Sequence, residues 1–272
     1  MEHVTVQGVE VPAVGLGTWQ LTGEECYETV SNALDLGYRH IDTAQMYENE
    51  EQVGRALADS DVDREDVWIT TKVTPGNARR DDVVESTEES LDRLGIDYVD
   101  LLLLHWPNPL VSFRDTARGM AELRDDGQIR HAGVSNFRRW RLRRAREKST
   151  IPILADQVRF HPFYTHGALR EYCAKVDTML TAYSPLAHGG LLDDPVLTEI
   201  GERYDKTPVQ VALRWVTGFE NVATIPKTTS REHLAQNIDI FDFELSESER
   251  DRIARPSYLK STGLFLRNEM GI

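Results

Sequence analysis

Eight short apolar runs punctuate the chain, and seven of them close on polar residues. They are VGLGTW (14–19), YRHIDTA (38–44), VWITTKV (67–73), YVDLLLLHW (98–106), IRHAGVSN (129–136), ILADQVRFH (153–161), MLTAYSPL (179–186) and VATIPK (222–227). Most are almost continuously apolar instead of alternating, the pattern of strands covered on both faces. Longer segments between them carry helix punctuation. Thr22-x-x-Glu25 reads as a capping box and Gly37 as a stop. One helix from about Asp82 ends before Gly95, and another from about Arg114 ends before Gly127. Thr207-Pro208-x-Gln210 places a cap, a proline at the first helical position and an acceptor at the third. Ser246-x-x-Glu249 caps a last helix. Eight strands alternating with helices, with no linker or low-complexity break, predict one domain over residues 1–272. Its fold class is α/β, a (β/α)8 TIM barrel with a short N-terminal β-hairpin. An open doubly wound sheet would need G-x-G-x-x-G after its first strand; Gly15-x-Gly17 is followed by no third glycine.

Composition narrows the picture. The chain has 272 residues, 45 acidic against 31 basic, for a formal charge of −14. That balance repels nucleic acid. Lysine occurs at only six positions and arginine supplies the other cations, which fits a chain adapted to high salt, where screening weakens self-repulsion. The basic run Arg138–Lys148 reads as a solvated helix face. Cys26 and Cys173 make neither a disulfide framework nor a zinc site, and a reducing cytoplasm suits them. No apolar run approaches the ~18 residues of a membrane span, and the N-terminal segment lacks a signal-peptide pattern.

In a barrel the C-terminal strand ends converge on one mouth. Asp42, Lys72, His105, Ser135, Asn136, Gln157, Ser184 and Lys227 all follow apolar runs. A buried carboxylate and a buried ammonium each need a partner, and Asp42 and Lys72, on adjacent strands, can supply each other. Tyr47 follows on the loop after Asp42. A nearby ammonium is expected to lower the phenol pKa and ease proton donation, while His105 orients a substrate oxygen. This arrangement protonates an oxygen while a hydride reaches the carbonyl carbon. No side chain delivers hydride, so a nicotinamide cofactor is implied.

The motifs VGLGTW, HIDTAQMYENE with EQVGRAL, ITTKV, VDLLLLHWP, GVSNF, DQVRFHP, AYSPL and IPKTTSREHLAQN, in this order, resemble the aldo-keto reductases over nearly the whole chain. The resemblance implies a tetrad of Asp42, Tyr47, Lys72 and His105, with the tyrosine as general acid. It implies that Ser135, Asn136 and Gln157 hold the carboxamide of NADP(H), that Tyr183 stacks on the nicotinamide, and that Ser184 and Leu186 lie along the pyrophosphate. Gly17, Thr18, Pro226, Lys227, Thr228, Thr229, His233, Gln236 and Asn237 complete the implied cofactor set. Lys227 and its neighbouring hydroxyl would take the 2′-phosphate. His233 stands where the family usually has arginine and Gln236 where it commonly has glutamate, so discrimination against NAD(H) is expected to be weak unless Arg231 compensates. Asp156 replaces a common asparagine, with a small effect expected. Trp19, Tyr47, Trp106 and Phe113 are expected to wall the substrate pocket. Selectivity would come from the loops after Pro107 and around His188 to Asp194, and from the tail after Ser257. The expected substrates are small, varied aldehydes or ketones, and the expected state is a monomer without metal. Two alternatives remain open at this point: a Schiff-base lyase using Lys72, and a non-catalytic nucleotide-binding barrel.

Overall fold

The computed structural model describes residues 2–255. Strands β1 (His3–Val6) and β2 (Val9–Pro12) pair antiparallel as a hairpin. The chain then runs β3 (Leu16–Gly17), α1 (Gly23–Asp35), β4 (His40–Asp42), α2 (Glu50–Ala58), β5 (Trp68–Val73), α3 (Arg80–Leu94) and β6 (Val99–Leu104). It continues with α4 (Phe113–Asp125), β7 (Ile129–Ser135), α5 (Arg139–Lys148), β8 (Ile153–Arg159), α6 (Gly167–Lys175) and β9 (Met179–Tyr183). It closes with α7 (Pro195–Tyr204), α8 (Pro208–Thr217), β10 (Val222–Thr224), α9 (Arg231–Ile238) and α10 (Glu247–Ile253). Strands β3 to β10 lie in sequence order, each parallel to the next. A parallel bridge between Val14 and Thr224 joins the two edges and makes the sheet a barrel.

Alternation along the strands sorts the core into two layers. On β6, Leu101 and Leu103 point into the barrel, while Leu102 and Leu104 pack under the helices. The interior layer also takes Trp68, Met179 and Ala223, together with Val6 and Val11 of the hairpin. The hairpin is therefore a plug for the floor, and the interior is filled instead of hollow.

The helix caps lie where the sequence predicts them, except at Thr22. Thr207 with Gln210 and Ser246 with Glu249 form complete capping boxes. Gly95 takes the left-handed conformation (φ 64°) that ends α3. Thr22 is extended but makes no side-chain cap bond. Gly23 enters α1 with φ +51°, a left-handed step at the first helical position. The exposed side of α5 carries Arg138, Arg139, Arg143, Arg144 and Lys148, while Leu142 and Ala145 face inward, as expected of a solvated face.

One buried contact steadies the strand that carries Lys72. Glu50, 1% exposed, accepts from the Thr71 hydroxyl at 2.5 Å and from Arg93 Nε and Nη2 at 2.9 and 2.7 Å. It ties β5, α2 and α3 together.

Candidate active site

At the mouth of the barrel the strand ends deliver the expected polar set. Lys72, fully buried, uses all three ammonium protons: it donates to Asp42 Oδ1 at 2.6 Å, to the Thr43 carbonyl at 2.7 Å and to the Tyr47 hydroxyl oxygen at 3.3 Å. Asp42 Oδ2 accepts from Gln157 Nε2 at 2.6 Å. The His105 ring meets the Tyr47 ring edge-on, with centroids 5.6 Å apart. Tyr47 sits in a single 3₁₀ turn, Gln45–Tyr47, that bends the chain out of β4 and brings the phenol back over the lysine.

Electrostatics departs from expectation at the phenol. Burial raises the Tyr47 pKa, the Lys72 charge opposes that rise, and the net direction is up. The lysine offsets desolvation without overcoming it, so the phenol keeps its proton more firmly than a free tyrosine. Burial pulls the Lys72 ammonium down, but Asp42 and Tyr47 outweigh it and Lys72 stays charged. Burial, reinforced by the Lys72 charge, lowers His105 to about 3, so the imidazole is neutral.

Beside this group lies a second network. Asn136 Nδ2 donates to the His105 carbonyl at 3.1 Å and to Ser135 Oγ at 3.0 Å, and Asn136 Oδ1 accepts from the Tyr183 hydroxyl at 2.8 Å. Asn136 adopts φ 63°, the left-handed region that asparagine tolerates. Ser184, Ala187 and His188 are also left-handed, with φ of 48°, 50° and 53°. The loop after β9 is thus held in a strained shape over the site.

These groups line one cavity of about 680 Å³. Its inner end holds Asp42, Tyr47, His105, Ser135, Asn136 and Gln157, and its walls include Tyr183, Ser184 and Leu186. Trp19 and Trp106 flank its opening. Gly17 lies along one wall, where a Cβ would come within 2.7 Å of the Ile225 carbonyl, so glycine lets β3 approach the end of β10. The other end is formed by Pro226, Lys227, Thr228, His233, Gln236 and Asn237. Ser230 caps α9 by accepting from the His233 N–H, and Thr228 Oγ1 accepts from the Ser230 N–H.

Four expected residues lie off the cavity wall. Lys72 is fully buried beneath the floor, in contact with Asp42 and Tyr47. Thr18 is fully buried and donates to the Asp42 carbonyl at 3.0 Å. Thr229 is exposed. Phe113 begins α4 and packs edge-on against Phe137 at 5.8 Å; an aromatic at the start of that helix belongs to the layer between helices and sheet, not to the pocket. The tail after Ser257 lies outside the described residues.

Several wall residues carried no signal in sequence. Gln20 and Met46 adjoin recognisable residues but have no chemistry of their own. Thr207 and Val209 read only as the start of α8, whereas Leu192 lies in the His188–Asp194 loop from which selectivity was expected. Asn49 was equally silent: its amide donates to the Thr18 and Leu21 carbonyls at 2.9 Å, and its oxygen accepts from Thr43 at 2.7 Å. It pins the Trp19 loop to the Tyr47 loop. Among the described residues, no group of three or more His, Cys, Asp or Glu could hold a metal, and no helix is long and apolar enough to cross a membrane.

Comparisons with known proteins agree with this geometry. The model of the Aldo/keto reductase family matches residues 13–256. The glyoxal reductase of Bacillus subtilis is 43% identical over 247 residues, covering 90% of this chain and 89% of the relative. A thermostable aldo-keto reductase crystallised with the inhibitor epalrestat superposes with a TM-score of 0.89 at 40% identity, covering 93% of this chain and 99% of that one. A Bombyx mori aldo-keto reductase in complex with NADP gives a TM-score of 0.86 at 34% identity, covering 93% and 92%. With strand order, mouth geometry and close relatives in agreement along almost its full length, this chain belongs to the aldo/keto reductase family.

Proposed function

We propose that this protein is a cytoplasmic, monomeric carbonyl reductase that converts small aldehydes or ketones to alcohols, with Tyr47 as the proton donor. The observation that carries the reading is the Lys72 hydrogen-bond set. The ammonium donates to the phenol oxygen, so the phenol O–H is left to point into the cavity toward a substrate oxygen. The same set opposes a Schiff-base lyase. A charged lysine whose three protons are engaged and whose side chain is fully buried has no lone pair to attack a carbonyl.

The cavity suits a nicotinamide dinucleotide. It runs from Tyr47 to Asn237, which is 2% exposed and lines the far end. The bound cofactor would supply the hydride. Ser135, Asn136 and Gln157 would hold its carboxamide, and Tyr183, fixed by Asn136, would flank its ring. Neutral His105 and protonated Tyr47 would receive the carbonyl oxygen, and the phenol would donate its proton as negative charge develops there.

At the other end the charge supply is thin. Lys227 is exposed, His233 replaces the expected guanidinium, and Arg231 is turned away to Asn32 and, at 3.5 Å, to Asp35. On this reading Arg231, engaged at the surface, supplies no charge to the cavity end. We infer that NADPH is preferred over NADH by less than about a hundredfold, or about 2.7 kcal/mol. The opening, framed by Trp19, Met46, Trp106 and Leu192, suits apolar or small carbonyl compounds. Glyoxal is one candidate, by analogy with the Bacillus subtilis relative.

The test is oxidation of NADPH and NADH with a panel of aldehydes and ketones, in low and high salt. Turnover that Tyr47→Phe abolishes supports the reading. Bound cofactor with no turnover across the panel overturns it in favour of a nucleotide-binding barrel without catalysis.

A further inference from the structure

Asp156 sits one residue before Gln157 on β8, pointing away from the barrel axis into the layer beneath α5 and α6. It is fully buried. Its Oδ1 accepts a single hydrogen bond, 3.3 Å from the N–H of Phe137. Its Oδ2 is buried with no partner among the described residues. The flanking residues in the sheet, Val134 on β7 and Leu180 on β9, are apolar. From α6 the titratable group nearby is Cys173, 1% exposed, whose thiol is itself pushed up by burial and then by Asp156. From α5, Arg146 is committed elsewhere, to Thr178 Oγ1, Val176 O and Ile153 O, and so does not neutralise Asp156.

We propose that Asp156 is a positioning residue that anchors the cofactor-facing end of β7 only while its carboxyl is protonated. The inference rests on the cofactor assignment of Ser135 and Asn136 made above. The Phe137 peptide that Asp156 holds directly follows Asn136, the left-handed residue that fixes Tyr183 and touches the His105 carbonyl. Burial places the Asp156 carboxyl well above the ordinary carboxylate range, and the Phe137 N–H, which by itself favours the anion, offsets only part of that rise. An ionised form in this apolar layer has no cation to meet it, so ionisation favours opening the contact to water. Loss of the proton would therefore loosen the Ser135–Phe137 turn and weaken cofactor binding without touching the groups that transfer the proton to substrate.

The unfolded chain loses this proton in the ordinary carboxylate range, while the folded chain retains it. Folded-state stability contributed at this site is full below that range, falls as pH rises toward the folded value, and then levels off.

Asp156→Asn keeps the shape and the acceptor but cannot ionise. Two measurements on the full chain test the proposal. In thermal melts without cofactor, the advantage of the Asn variant over wild type should be near zero at about pH 4 and widen toward about pH 9. In NADPH titrations carried upward in pH from the ordinary carboxylate range, the wild-type Kd should rise by roughly tenfold more than that of the variant, with kcat at saturating cofactor equal in both. Asp156→Ala, which removes the acceptor for Phe137, should raise Kd at every pH. Parallel melting profiles for wild type and Asn variant overturn the proton-holding role. Diverging melts with parallel Kd profiles overturn the positioning role. If neither protein binds dinucleotide, the cofactor assignment fails, and the melts alone still decide whether Asp156 holds its proton.

Discussion

At the scale of single residues, Tyr47 and its neighbours carry the sharpest expectations. Replacing Tyr47 with Phe should lower kcat by roughly 10²–10⁴-fold, the usual worth of a positioned acid, with cofactor Kd unchanged in a fluorescence titration. The pH profile of carbonyl reduction should be flat through neutrality. The phenol, raised by burial, stays protonated there, and His105, lowered to about 3, stays neutral. Steady-state kcat from about pH 5 to about pH 8 checks this; an ascending or descending limb near the ordinary histidine range would assign the titration to another group. Asp42, Lys72 and His105 were legible in sequence because each is a polar residue closing an apolar run. What was not legible was the balance at Tyr47. Sequence shows that an ammonium can reach a phenol, but only the depth of the site shows that burial wins. Phe113 failed for a related reason: an aromatic near a strand end can face the pocket or the helix layer, and its position on α4 decides between them.

At the scale of elements, the contact between α2 and α3 shows what the strands depend on. A Cβ on Gly54 would collide with the Leu94 carbonyl, so the two helices approach backbone to side-chain-free backbone. The Glu50–Arg93 pair sits over the same junction. Arg93→Ala would strand a buried carboxylate with only Thr71 for company. It should cost about 2 kcal/mol in urea unfolding, an intermediate value because Arg93 itself is half-exposed. Arg55→Ala, which removes an exposed pair with Glu24 at 3.7 Å, should change stability by no more than about 0.5 kcal/mol. Equal losses in both variants would mean the buried pair contributes no more than a surface one. Element positions were readable from caps and apolar runs, since Gly95, Thr207 and Ser246 act locally. The 3₁₀ turn under Tyr47 and the Asn49 clamp were not, because both are set by contacts between loops far apart in sequence.

At the scale of the whole molecule, the charge of −14 sets the response to solvent. Raising KCl from about 0.1 to about 1 M shortens the screening length from about 10 to about 3 Å and should relieve the mutual repulsion of exposed carboxylates. Melting temperature and activity should both increase over that range; a fall in both would remove the case for adaptation to high salt. The barrel itself was readable as a repeat of strand and helix, whereas its closure depended on pairing between distant segments. That pairing shapes how the chain comes into being. The edge offered by Val14 finds its partner only at Thr224, so a chain growing from its N-terminus carries an open sheet edge through most of its synthesis. The last strand acts as a clasp. The partly made protein is a curved sheet exposed to its neighbours, and the interval before Thr224 emerges is when it is most open to mispairing with another copy of itself.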